Sequence, residues 1–80
     1  MNNQEKLVTA FTQSLGIPMS AVVDTLSFGE GPWDSIAHMV LVTAIETAHD
    51  IMLDTEEILD MSSFAKAKEI VQRHGIDFHA

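Results

Sequence analysis

An all-α fold is predicted: a small four-helix bundle of three longer helices and a short third one, with a long first loop. Apolar residues recur at three- and four-residue steps in separate segments, and capping and stop residues bracket those segments. No alternating pattern offers a competing strand. At 80 residues the chain is expected to be one small domain, 1–80, without room for a second core.

The first helix is expected over Asn3–Leu15, where Leu7, Val8, Ala10, Phe11 and Leu15 form one apolar stripe. Gly16 supplies its stop, and Pro18 follows. The stretch from Ile17 to Trp33 exceeds an ordinary connection, so it should carry local structure or a function. Within it, Ser20 to Asp24 reads as one short turn and Leu26 and Phe28 as anchors onto the helices. Gly29-Glu30-Gly31-Pro32 reads as a turn cluster.

Asp34 suits the N-cap of the second helix, because its carboxylate accepts from free amides of the first turn. Ser35 then opens a helix running to about His49, with its hydroxyl toward solvent at the end where the macrodipole is positive. A phosphate attached there would sit in an anion-favouring spot. Met39, Val42 and Ile45, with Leu41 and Ala48 alongside, are assigned to the core face. Glu46 and Asp50 fall late, where carboxylates oppose the dipole, which points to a surface requirement.

Ile51-Met52-Leu53 reads as a buried crossing segment. Asp54 or Thr55 caps a short third helix through Glu56-Glu57-Ile58-Leu59-Asp60, and Met61 turns inward. Ser62 or Ser63 caps the last helix, whose stripe is Phe64, Ala67 or Lys68, Ile70 and Val71. Arg73 and His74 sit favourably at its end, Gly75 stops it, and Ile76 to Ala80 is a tail.

Charge is the most skewed property. Twelve acids against four bases give a formal net charge of −8, a field that repels nucleic-acid phosphates and anionic membranes and favours basic protein surfaces. No cysteine is present, so neither disulfides nor thiolate ligands staple the fold. No run is long enough to span a bilayer, and Met-Asn-Asn-Gln-Glu-Lys carries no signal-peptide pattern, so a cytoplasmic protein is expected.

Asp34, Ser35 and His38 invite a hydrolytic reading, since acid, nucleophile and base types lie close together. Helix geometry opposes it: side chains at i and i+3 run outward side by side, with no further carboxylate behind the imidazole and no evident oxyanion hole. His38 is read instead as a surface residue or one that rests against Trp33 as a first-turn staple. His38, His49, His74 and His79 form no i, i+4 zinc pattern. The acids Asp50, Asp54, Glu56, Glu57 and Asp60 lack the mid-loop glycine of a calcium site and read as a solvated edge. Met39, Met52 and Met61 are taken as adaptable core packing, or, in a sharper reading, as walls of a cavity that swells around an apolar guest.

Together these features resemble the acyl carrier proteins of the phosphopantetheine-dependent carrier family: four helices, a long first loop and an Asp-Ser-Leu motif opening the second helix. That motif stands here as Asp34-Ser35-Ile36, and Glu46…Ile51…Leu53…Glu57-Ile58…Phe64-Ala65 matches the later part of the pattern. The resemblance implies a single acyl-carrier-like domain. It also implies a 4′-phosphopantetheine arm from coenzyme A, attached to the Ser35 hydroxyl through a phosphodiester beside the Asp34 cap. The arm's thiol would carry acyl or aminoacyl groups as thioesters; the carrier itself would catalyse nothing. Implied partners are a phosphopantetheinyl transferase, an acyl-loading ligase or acyltransferase, and downstream synthase enzymes, meeting a monomer.

Fatty-acid carriers of the family show several acids after the serine, whereas this chain has Ala37, His38, Val40 and Thr43 there. Asp34, Glu46 and Asp50 are left as the nearby charges, so docking should lean on apolar contacts through Trp33, Ile36, Ala37, Met39 and Val40, with Glu46, Glu56 and Glu57 as further candidate partner contacts. Trp33 before the motif likewise resembles carriers of specialised pathways, such as polyketide or nonribosomal-peptide-like synthesis. The alternative expectation is an acidic helical interaction module without a prosthetic group, using the same patch.

Overall fold

The structure, a computed structural model, describes residues 1–78. Among these the fold is all-helical, with four α-helices and no strand: α1 (Asn3–Leu15), α2 (Ser35–His49), α3 (Thr55–Asp60) and α4 (Phe64–Arg73). Each helix starts at a side-chain cap. Asn2 and Glu5 form a reciprocal capping box on α1, Asp54 and Glu57 one on α3, and Ser63 accepts from the Lys66 amide at the start of α4. Gly16, at φ +66°, ends α1 in the left-handed conformation that glycine adopts without strain.

One apolar core joins the helices. Leu7, Phe11 and Leu15 of α1 meet Leu41 and Ile45 of α2 and Phe64, Ile70 and Val71 of α4, with Leu53 and Met61 closing it from the connections. The Phe11 ring stands edge-on to both Trp33 and Phe64, at centroid distances of 5.3 Å and 5.0 Å. Ala67, not Lys68, completes the α4 stripe. The Lys68 ammonium lies over the Phe64 ring and pairs with Asp24, binding the long loop to α4.

α1 and α2 run antiparallel. Phe11 meets Trp33 at the entrance to α2. At the other end the Asn3 amide donates to the Asp77 carbonyl (2.8 Å), and the Phe78 ring packs against His49. The segment expected as a plain tail therefore returns to the core through Ile76 and Phe78, because their apolar side chains gain more from burial than from solvent. His79 and Ala80 of that tail lie outside the described residues.

The long loop holds local structure that overlaps the turn expected over Ser20 to Asp24 but starts before it, and a further turn is closed by the Leu26 amide donating to the Val23 carbonyl. A 3-10 turn covers Met19–Ala21, entered from Pro18, whose fixed φ starts it one residue earlier than Ser20. Farther on, the Phe28 amide donates to the Ser62 carbonyl and the Phe64 amide to the Leu26 carbonyl. These bonds make a lone bridge between Ser27 and Ser63 that anchors the loop to the α3–α4 connection.

Two methionines depart from the core reading. Met52 is 84% exposed and Met39 53% exposed, while Met61 is buried as expected. In the crossing segment Leu53 is buried and Ile51 packs partly buried against the core, while Met52 between them points outward. Met39 lies at the edge of a helix stripe that is instead filled by His38, Leu41, Val42, Ile45 and His49.

Candidate functional site

Ser35 is the first residue of α2 and is exposed. Three local features put it there. Gly31 adopts φ +53°, allowing the chain to turn sharply before Pro32. The turn is closed by amides of Gly29 and Trp33 donating to the carbonyls of Trp33 and Glu30. Asp34, in extended backbone, accepts from the Ala37 amide at 2.9 Å and launches the helix. Helix geometry leaves the Ser35 and Ile36 amides without intrahelical acceptors, so the hydroxyl sits amid partial positive charge.

Beneath this exposed tip lies a buried aromatic couple. Trp33 is fully buried, and its indole Nε1–H donates to His38 Nδ1 at 2.9 Å. The two rings stack at 5.9 Å with 25° between planes, and Phe28 stands edge-on to both. Since the indole only donates, Nδ1 is the acceptor and the imidazole carries its proton on Nε2. That nitrogen donates to the Ile58 carbonyl at 2.8 Å, tying α2 to α3. Residues 33 and 38 occupy the N′ and N4 positions of α2, which is hydrophobic-staple spacing.

The staple settles two expectations. His38 is not a surface residue; it takes the packing alternative. Trp33 cannot meet a partner as expected, because its ring fills the core between Phe11 and His38. The signal was present in the five-residue spacing of the two rings, but the third partner, Ile58, was not visible in the chain order. The couple also occupies both imidazole nitrogens, so His38 has no free nitrogen to serve Ser35 as a base.

The remaining patch residues divide. Ile36 (79% exposed), Met39 and Val40 (52%) form an exposed apolar face leading away from Ser35, with Ala37 half-buried beside it. Glu56 is exposed at the start of α3. Glu46 and Glu57 are already engaged. The Glu46 carboxylate accepts from the Leu53 amide at 2.9 Å, and Glu57 binds the Asp54 amide and the His74 imidazole. Glu46 therefore holds the chain leaving α2, which explains a carboxylate placed against the dipole. Asp50, at φ +53°, is the left-handed C-cap of the same helix.

His49, also buried, has no hydrogen-bond partner at either ring nitrogen among the described residues. Burial, and secondarily the Lys6 ammonium, hold its imidazole below the ordinary value of 6.5. No cluster of acids and histidines that could hold a metal ion occurs among the described residues, and no helix there is long and apolar enough to cross a membrane.

No protein-family model matches the chain, and no curated protein matches it either. Local geometry around Ser35 is thus the basis for a functional reading.

Proposed function

We propose that this protein is a non-catalytic carrier that holds acyl or aminoacyl groups as thioesters on a 4′-phosphopantetheine arm attached to Ser35. The observation that supports it is an exposed serine hydroxyl at the first position of α2, next to the capping Asp34. In this reading the four helices form the bundle of the carrier family, and the single core joining α1, α2 and α4 supports that arrangement. The arm, once attached, supplies the thiol that this cysteine-free chain lacks.

The chain's own residues have definite parts. Ser35 offers the oxygen that attacks the phosphorus bearing the pantetheine arm; the pyrophosphate P–O bond of coenzyme A breaks, adenosine 3′,5′-bisphosphate leaves, and the serine proton passes to the modifying enzyme. The free amides of Ser35 and Ile36 favour the anionic phosphodiester. Asp34 fixes the helix start, and the Trp33–His38 staple keeps the tip rigid from below. Ile36, Met39 and Val40 present an apolar docking face without the acids typical of fatty-acid carriers, which favours a specialised biosynthetic pathway. Partners in this reading are a phosphopantetheinyl transferase, a loading ligase or acyltransferase, and synthase enzymes, acting on a cytoplasmic monomer.

Incubation with coenzyme A and a broad-specificity transferase should add one phosphopantetheine mass to the intact protein, and Ser35→Ala should abolish the gain. A wild-type chain that stays unmodified refutes the proposal. The exposed apolar face also favours a second reading, an interaction module with no prosthetic group. There, Val40→Asp abolishes partner binding while Ser35→Ala leaves it intact.

A further inference from the structure

Between the antiparallel helices α1 and α2 runs an open groove of ≈ 850 Å³. Its apolar surface comes from Met1, from Ala10 on α1 and from Met39, Val40, Ala44 and Ala48 on α2. Alanines explain the trough: where two helices face each other through short side chains, space is left that larger residues would fill. Threonines and Gln13 supply the polar part of the lining.

The charge pattern in the groove is the reverse of the rest of the molecule. Twelve acids are distributed over the chain, yet none lines the groove. Among the described residues the one charged side chain there is Lys6, which makes no ion pair. By contrast, Lys66 pairs with Asp60 and Glu69, and Lys68 with Asp24. Lys6 lies toward the end of α2, where its ammonium is felt by His49, while Met39 and Val40 mark the opposite end. Those ends are nine residues apart on α2, a span of about 14 Å at the helical rise.

We propose that the α1–α2 groove binds a free single-chain amphiphile with an anionic head, a long-chain carboxylate. The carboxylate meets the Lys6 ammonium, and the alkyl chain lies over Ala48 and Ala44 toward Met39 and Val40. An unpaired cation at one end and an apolar trough leading from it match this class of ligand; a cationic or neutral amphiphile would leave Lys6 uncompensated. The proposal does not rest on the Ser35 reading, since the ligand is free.

The test is calorimetric titration of the full chain and of its Ser35→Ala variant with laurate, below its micelle concentration and in 0.15 M salt. Saturable binding of equal affinity to both proteins is expected, with dodecylammonium binding at least tenfold more weakly. Shortening the chain should cost about fourfold in affinity per buried methylene. Lys6→Met should weaken laurate about fivefold to tenfold, and Lys6→Arg should restore it. Ala44→Trp, which fills the trough, should abolish binding. Thr43→Asp, at an exposed position, should weaken it without disturbing the fold. Methyl resonances of Met39, Ala44 and Ala48 should shift while that of buried Met61 does not. Absence of saturable binding overturns the proposal, as does equal affinity for laurate and dodecylammonium. An unchanged affinity in Lys6→Met, or shifts confined to residues outside the groove, overturns it too.

Discussion

Replacing Trp33 by Phe tests the staple under the Ser35 tip. The phenyl ring keeps an aromatic contact with Phe11 but removes the Nε1–H that satisfies His38 Nδ1. A buried acceptor left without a donor costs roughly 1–3 kcal/mol, and the smaller ring leaves a cavity worth roughly another 1 kcal/mol. The sum, about 2–4 kcal/mol, is a large part of the roughly 4–12 kcal/mol that a domain of this size possesses. Melting temperature should fall by at least about 8 °C, at about 4–8 °C per kcal/mol. Urea unfolding followed by far-ultraviolet circular dichroism measures it without relying on the deleted indole. The companion His38→Leu, which frees both the indole donor and the Ile58 carbonyl, should be destabilising by a similar amount. Because both substitutions break one bond, the double variant should lose less than the sum of the singles, by about 1 kcal/mol. Strict additivity, or a Trp33→Phe loss under about 0.5 kcal/mol, refutes the hydrogen-bonded staple.

Three further outcomes follow from the same structure. His49 is held below its ordinary value of 6.5 by burial and Lys6, so the unfolded chain binds its proton first as pH falls. Its contribution is therefore complete above about pH 6.5 and declines below it until the folded-state value is reached; melting curves across that window should be flatter for His49→Met than for the wild type. Asp50→Gly should stabilise the protein by about 0.5–1 kcal/mol in urea titrations, since glycine adopts the left-handed C-cap conformation without the Cβ penalty. Ser63→Ala removes the cap that accepts from the Lys66 amide and should cost about 1 kcal/mol by the same measurement.

The chain order alone determined most of the helical framework. The stripe of α1 and its Gly16 stop, the Asp34 cap, the Ser35 start and the end at His49 are local: each depends on residues within one or two turns of one another. The exposure of Ser35 follows from the same local rules, because the first helical residue after a cap lies at the rim. The burial of Trp33, unlike that of Phe11 and Phe64, was decided only by tertiary contacts. Trp33 beside the motif looked like a surface contact until α1 brought Phe11 against it and α3 brought the Ile58 carbonyl to His38. Likewise Glu46 and Glu57 looked like free charges, and only folding showed them holding the Leu53 amide and the His74 ring. Hydrophobicity and charge describe a side chain's transfer to water, but a hydrogen-bond partner twenty residues away is supplied by the packing of helices, which no local pattern encodes.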